Sequence, residues 1–361
     1  MNILAVESSC DETSASVVVS GQRVLSNVVA SQIDLHARYG GVVPEIASRA
    51  HIEAINTVIV RALDQSGLAP SDLAAVAVTN EPGLIGSLLI GVTAAKTLAW
   101  IYDRPLVGVN HIYAHAYAAA LDAEPIEYPA AALICSGGHT ALYHCRSPID
   151  MTLLGSTIDD AAGEAYDKVA SILKLPYPGG PAIDKAARRG DPSAVKLPRT
   201  LLHGQSLDFS FSGLKTAVLY HVMGTPGGRR EESTRPRRRR TAATPQRPAG
   251  KTGIENFTPQ EIDDLCASFQ GAVVDVLRTK LRRAAVATGA RTLVLGGGVA
   301  ANSGLRAAAG ELAASLGCTL RLPPMAYCVD NAAMIGGLAY HYLQAGLTAE
   351  LDLEARATVR R

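Results

Sequence analysis

Aromatic side chains are scarce in this chain, which has 4 Phe, 12 Tyr and a single Trp among 361 residues. A core must therefore come from small aliphatics, and the 48% hydrophobic content points to an Ala/Val/Leu/Gly-rich α/β protein. Cysteine is also sparse. Cys10, Cys135, Cys145, Cys266, Cys318 and Cys328 form no C-x-x-C pair, which argues against a disulfide framework and for reduced, structural thiols. No apolar run approaches the roughly 18 residues of a membrane span, so no membrane partner is expected. Glu7 and Asp11 follow the first apolar residues at once and no basic segment precedes them, so no secretory signal peptide is expected. A cytoplasmic location is the expectation.

Glycine, by contrast, is plentiful at 33 residues, which suggests tight turns or close backbone–ligand approaches. The length allows two or three domain-sized units. Charge is unevenly spread. Residues 223–252 hold nine Lys and Arg (Arg229, Arg230, Arg235, Arg237, Arg238, Arg239, Arg240, Arg247, Lys251) against Glu231 and Glu232, a net +7. Under an overall +1, the remaining chain sums to −6. That segment is rich in Pro, Gly, Thr and Ser with almost nothing to bury, so it reads as a disordered insertion. It is equally a solvated loop or an electrostatic arm for nucleic acid.

Hydrophobic patterning predicts a strand at 2–6, a polar turn, and a second strand at 15–19. A helix follows over 45–66, ending at Gly67, then a strand at 74–79. The next helix runs to about 102, with Leu84, Leu88, Val92 and Leu98 supplying its apolar face. A strand at 106–109 leads into another helix. The pattern then restarts, with a strand at 130–135, a Gly-rich turn, and a returning strand at 141–145. Helices are expected near 162–173 and 181–189. A long one spans 259–288, with Thr258 as N-cap and Pro259 in its first turn. A strand at 292–295 runs into Gly296-Gly297-Gly298. Asp330 is expected to cap a last helix that Gly346 stops. Two successive units, each opening on a hairpin, imply a duplicated two-lobe protein with a cleft between the lobes.

Two imidazoles stand four apart in His111-Ile112-Tyr113-Ala114-His115, so on a helix both reach one metal ion. The metalloprotease form, H-E-x-x-H, has its general base where this chain has Ile112. The spacing alone is equally that of two structural histidines on an amphipathic helix. Three turns suit phosphate groups: residues 7–13, Ser136-Gly137-Gly138-His139-Thr140, and Gly296-Gly297-Gly298 with Ala300-Ala301-Asn302 starting a helix. None is the G-x-G-x-x-G of a dinucleotide fold.

These stretches, in order over nearly the whole chain, closely resemble the TsaD family of tRNA adenosine threonylcarbamoyltransferases. That family lies within the acetate kinase/Hsp70/actin/sugar kinase (ASKHA) fold group. The matching motifs begin with Glu7-Ser8-Ser9-Cys10-Asp11-Glu12-Thr13, the His111 to His115 stretch and Cys135 through Thr140. They continue with 159–168, 179–184, 209–215, 297–302 and 330–336. Two departures stand out: Glu81 where the family usually has Gly before Pro-Gly-Leu, and the Arg-rich 223–252 segment.

The resemblance implies an α/β fold of two ribonuclease-H-like lobes with an interlobe cleft. Residues 1–117, completed by 325–361, would form the first lobe. Residues 118–324 would form the second, with 223–252 as a disordered Arg-rich insertion in it. His111, His115 and Asp330 would hold one divalent metal ion per subunit, with Fe2+ the expected ion and Zn2+ also suited to these donors. Ile134, Cys135, Ser136, Gly137, Gly138, Asp167, Gly180, Asp184 and Asn302 would hold the acyl-adenylate. The implied reaction moves a threonylcarbamoyl group from threonylcarbamoyl-AMP to N6 of adenosine 37 in tRNAs reading codons that begin with adenine (t6A formation). No covalent nucleophile is assigned, and the backbone N–H groups of Ser136 to Gly138 are candidates to stabilise developing charge. Implied partners are tRNA, an inactive paralogue subunit (TsaB-like) and a P-loop ATPase (TsaE-like). Rival readings are a metalloendopeptidase, an actin-like ATPase regulatory module and a small-molecule O-carbamoyltransferase.

Overall fold

The computed structural model describes residues 1–202, 204–224 and 253–358. Its strands form two five-stranded sheets of the same design. The first contains β1 (Asn2–Glu7), β2 (Glu12–Val19), β3 (Arg23–Ser31), β4 (Ala75–Glu81) and β5 (Leu106–Asn110), in the order β3-β2-β1-β4-β5. Strands β1 to β3 are antiparallel, while β4 and β5 run parallel to β1. The second contains β6 (Ala130–Cys135), β7 (Thr140–Ser147), β8 (Asp150–Ser156), β9 (Thr292–Gly296) and β10 (Thr319–Arg321), in the order β10-β9-β6-β7-β8. Its senses match, with β6 to β8 antiparallel and β9 and β10 parallel to β6. The expected duplication of an α/β ribonuclease-H-like lobe is present strand for strand.

Ten helices accompany the sheets among the described residues: α1 (Ile33–Ala37), α2 (Pro44–Ser66), α3 (Ile85–Ile101), α4 (His111–Tyr117), α5 (Ala162–Ile172), α6 (Gly179–Ala187), α7 (Ser212–Met223), α8 (Pro259–Thr288), α9 (Ser303–Leu316) and α10 (Ala332–Gln344). Some of their ends are set by local chemistry. Gly67 ends α2 with φ +69°, a left-handed conformation that costs glycine nothing. Thr258 and Glu261 form a reciprocal capping box on α8, the Thr258 N–H donating to Glu261 at 2.8 Å.

Alternation along the strands divides each core in two. In the first sheet Leu4, Val6, Val76 and Val78 face α2 and α3, while Ile3, Ala5, Ala75 and Ala77 face α4 and α10. In the second, Ala131 and Leu133 belong to the large core under α5 to α9, and Ala130, Ala132 and Ile134 face the other way. Helix α4 lies between the sheets. Ala114 and Tyr117 pack with the first sheet, Ile112 and Ala116 with the second. The Ile112 position, where a protease would need its base, is core surface only 6% exposed.

Several expectations are corrected. Asn331 caps α10, its side chain accepting from the Met334 N–H at 3.1 Å, which frees Asp330 for another use. Helix α6 begins at Gly179 rather than Pro181. Residues 298–301 form a 3-10 turn, and Asn302 caps α9 through the Leu305 N–H at 2.9 Å. Apart from Met223 and Gly224, the Arg-rich 223–252 segment lies outside the described residues. The chain on its two sides is joined by the Gly253 N–H donating to Val222 O at 3.0 Å. Near the carboxyl end the chain returns to the first sheet. The Ala349 N–H donates to Leu106 O at 2.8 Å and the Arg356 N–H to Asn80 O at 2.8 Å. Glu81 faces this segment, 3.7 Å from the Arg356 guanidinium.

Candidate metal centre and nucleotide cleft

Helix α4 is short, and Asn110 holds its first turn by accepting from the N–H groups of Ile112 (2.9 Å) and Tyr113 (3.2 Å). Its third face carries His111 and His115, both buried, with ring centroids 4.6 Å apart. Asp330 arrives from the loop before α10. Its Oδ1 lies 3.1 Å from His115 Nε2 and 3.5 Å from His111 Nε2. The sequence expectation that these three residues converge therefore agrees with their placement.

The donor atoms lie within 4.8 Å of one another. Donors bound at about 2.0–2.2 Å to one ion stand roughly 3.0–3.5 Å apart; the two distances to Asp330 fall in that range, and the widest pair would draw together around an ion. The electrostatics also call for a cation. Burial opposes the charge on His111, but Asp330 and Glu7 overcome it and hold its pKa well above the ordinary imidazole range. Burial works against the Asp330 carboxylate as well, yet His111 and His115 keep its pKa well below the usual value. Burial lowers the pKa of His115 despite its hydrogen bond to Asp330. The residues present thus fit a divalent ion.

In the 7–13 turn two hydroxyls are engaged within the protein: Ser8 Oγ donates to Ser87 O at 2.9 Å and Thr13 Oγ1 lies 2.7 Å from His51 Nδ1. Glu7 turns toward His111. The signal that would have found this pairing was absent, because the partners are 104 residues apart.

In the second lobe, Ile134 and Cys135 end β6 beside Gly296 and Gly297 of the β9 turn. A Cβ on Gly297 would lie 2.3 Å from Cys135 O, and the residue has φ +84°. Within the next turn the Ser136 N–H donates to His139 O at 2.8 Å, so it is spent, contrary to expectation. Gly137 and Gly138 are exposed, and a Cβ at either would meet nothing within 4 Å. His139 links this turn to the metal centre. Burial and the nearby His111 and His115 push its pKa down to about 4, leaving it neutral at pH 7.

The turn abuts the start of α5, where the Gly163 N–H donates to Ser136 O at 3.2 Å. One turn on, Asp167 accepts from the Gly179 N–H at 2.7 Å and from Gly180, and burial raises its pKa. A cavity of about 280 Å³ opens here, lined by Asp167, Tyr177 and Gly179 together with Ala37 and Gly40 from the first lobe. Farther along α6, buried Asp184 accepts from Ser303 Oγ (2.7 Å), Gln270 Nε2 (3.1 Å) and Arg188 (2.7 Å). Gln270 Oε1 in turn accepts from Asn302 Nδ2 at 2.6 Å. The expected residues thus fall into adjoining groups: 134–138, Asp167 with Gly180, and Asp184 with Asn302. Gln270, which joins the last two, was not foreseen, since one Gln inside a 30-residue helix carries no signal of its own.

The sequence model of the family described as TsaD, tRNA N6-adenosine threonylcarbamoyltransferase, matches residues 23–337. This chain belongs to that family. A relative of that name from Trichlorobacter lovleyi is 49% identical over 358 residues, covering 99% of this chain and 96% of its own. One from Symbiobacterium thermophilum is 50% identical over 356 residues, covering 98% and 95%. Among solved structures, component A of (R)-2-hydroxyglutaryl-CoA dehydratase from Acidaminococcus fermentans superposes with a TM-score of 0.51. It is 14% identical and the match covers 96% of this chain and 99% of that one, a likeness of fold alone. The TsaD-family lobes thus carry the ASKHA architecture.

Proposed function

We propose that this chain transfers the threonylcarbamoyl group from threonylcarbamoyl-AMP to N6 of adenosine 37 in tRNAs reading codons that begin with adenine. The observation that carries this reading is the combination of family membership with the His111/His115/Asp330 cluster beside the 136–138 turn. In the reaction N6 attacks the carbamoyl carbon, the carbon–oxygen bond to phosphate breaks, AMP leaves and N6 loses a proton. An exocyclic adenine amine is a weak nucleophile, because its lone pair is delocalised into the ring.

His111 Nε2, His115 Nε2 and Asp330 Oδ1 would hold a divalent ion, Fe2+ or Zn2+. Such an ion supplies Lewis acidity toward donor oxygens. The open N–H groups of Gly137 and Gly138 would receive the phosphate or the developing oxyanion. His139, with its pKa pushed down to about 4, is neutral at pH 7 and too weak a base to hold the N6 proton, which passes to solvent or to the leaving phosphate. Asp167, Gly180, Asp184 and Asn302 would position the nucleotide half of the donor. No residue needs to be acylated. Adenosine 37 lies in the anticodon loop, so its base can enter a cleft without opening a duplex.

The two lobes would comprise 1–117 with 325–361, and 118–324. The packing of α10 and residues 349–356 on the first sheet supports this division. The 223–252 segment would add basic charge toward tRNA, offsetting the acidic remainder. A TsaB-like paralogue would dock on the outer helices, where Ile85, Leu89 and Trp100 are exposed along one stripe of α3. A TsaE-like ATPase completes the expected set. No helix among the described residues is long and apolar enough to cross a membrane.

The test is reconstitution. The metal-loaded chain is incubated with threonine, bicarbonate, ATP, unmodified tRNA and an adenylate-forming enzyme, with and without the partner proteins, followed by nucleoside analysis. Threonylcarbamoyladenosine that depends on this chain supports the reading; none with all partners present contradicts it. The metalloendopeptidase reading has no base at Ile112. A regulatory ATPase would have no use for the His111/His115/Asp330 cluster.

A further inference from the structure

Glu7 is the last residue of β1 and is fully buried. The parallel order β1-β4-β5 sets the carboxyl ends of these strands side by side, so its side chain reaches Thr79 on β4 and His111 after β5. Three groups converge on its carboxylate. The Ser9 N–H donates to Oε1 at 2.5 Å, Thr79 Oγ1 donates to Oε2 at 2.6 Å, and His111 Nδ1 lies 2.9 Å from Oε2. An ionised carboxylate only accepts hydrogen bonds. His111 Nδ1, which also lies 3.2 Å from Ser9 Oγ, therefore carries a hydrogen toward Glu7, and Nε2, on the Asp330 side, is the nitrogen free to give up its proton to a metal ion.

We propose that Glu7 is a positioning residue that fixes the tautomer and ring orientation of His111, so that Nε2 is presented as a metal donor toward His115 and Asp330. This rests on the reading of the three residues as a metal centre. The arrangement is that of a carboxylate behind a ligating histidine, which aims the ring and raises its basicity. Its strength lies in the absence of alternatives for Glu7. The residue has no exposure to water, and its three donors come from separate parts of the chain. Among the described residues His115 Nδ1 has no hydrogen-bond partner, so the supported ring is His111 alone.

The isosteric variant Glu7→Gln discriminates. An amide offers one acceptor and one donating end where the three groups converge. With its nitrogen toward His111, the N–H faces Nδ1 and drives the ring proton onto Nε2. With its nitrogen toward Ser9, two N–H groups oppose each other.

Zn2+ affinity is measured by competition with a chromophoric chelator for the wild type, Glu7→Gln, His111→Ala, His115→Ala and Glu7→Gln/His111→Ala. Glu7→Gln is expected to weaken binding about 10–100-fold. In the His111→Ala background the same change should have no further effect, which a general loosening of the fold would not reproduce. The Zn2+-loaded wild type is also read by nitrogen-15 NMR. There His111 should show a protonated Nδ1 and a metal-shifted Nε2, so the inference stays testable if Glu7→Gln does not fold. Unchanged affinity in Glu7→Gln, or a metal-shifted Nδ1, overturns the role of Glu7. Equal affinities in wild type and His115→Ala overturn the metal-centre reading beneath it.

Discussion

Gln270 has a small side chain with a large assignment. Its amide donates to Asp184 and accepts from Asn302, so one residue of α8 ties the ends of α6 and α9 together. Both partners are buried; without Gln270, Asp184 keeps Ser303 and Arg188, whereas Asn302 Nδ2 keeps only a 3.4 Å contact to the Tyr166 hydroxyl. Gln270→Leu should cost about 1–3 kcal/mol of stability in urea unfolding. It should also raise the KM for the adenylate donor more than it lowers kcat, because in the proposed reaction Asp184 and Asn302 hold the nucleotide half of the donor and not the reacting carbon. Urea titration and steady-state kinetics check both; an unchanged KM would remove Gln270 from the nucleotide site. The same residue marks a limit of sequence reading. Asp184 and Asn302 stand in motifs with recognisable neighbours, whereas Gln270 sits at an interior helix position where many residue types would serve. Glu7 was legible as a motif member but not in its role, since the strand order that brings it to His111 is a property of the sheet.

Among the elements, α4 bears the greatest demands. It has seven residues, packs on both sheets, and presents two imidazoles on the face that remains. Isolated helices so short are not stable, so tertiary packing and the Asn110 cap must hold it. Asn110 is itself oriented by Glu81, its Nδ2 donating to Glu81 Oε1 at 3.4 Å, and Glu81 is near Arg356. The departure at Glu81 is thus tied into the start of the histidine helix. Asn110→Ala should cost about 0.5–2 kcal/mol in chemical denaturation and weaken metal affinity as well. Loss of stability with unchanged metal affinity would show that packing alone sets the imidazoles. Most elements were legible because their buried faces repeat at the helical or strand period. Strands β3, β8 and β10 are not legible in the sequence because they form sheet edges, with half-exposed, mixed polar sequences. Asp330 was misplaced as a helix cap because Asn331 beside it is equally suited to that task.

At the scale of the whole molecule, two copies of one sheet design enclose α4, and the cleft inherits residues from both. The close match of strand order explains why the duplication could be seen in the sequence, while the contacts across the cleft could not. The joined ends at Val222 and Gly253 bear on the Arg-rich segment. Replacing residues 225–252 by a short Gly/Ser link should leave the thermal midpoint nearly unchanged, because the link closes neighbouring points. It should flatten the dependence of tRNA affinity on salt, since fewer phosphate contacts release fewer counterions. Binding titrations at several salt concentrations check this, and an unchanged slope would exclude the segment from tRNA contact.

The central claim is that His111, His115 and Asp330 form a metal centre on which threonylcarbamoyl transfer depends. Asp330→Asn tests it most directly, because it removes the carboxylate charge and keeps the side chain's size. The measurement is the yield of threonylcarbamoyladenosine in tRNA from purified donor, with metal-loaded wild type and variant compared at equal protein and partner concentrations. The account predicts loss of bound metal and a fall in initial rate on the order of 100-fold or more. Wild-type rates in an Asp330→Asn protein shown to hold no metal would contradict it.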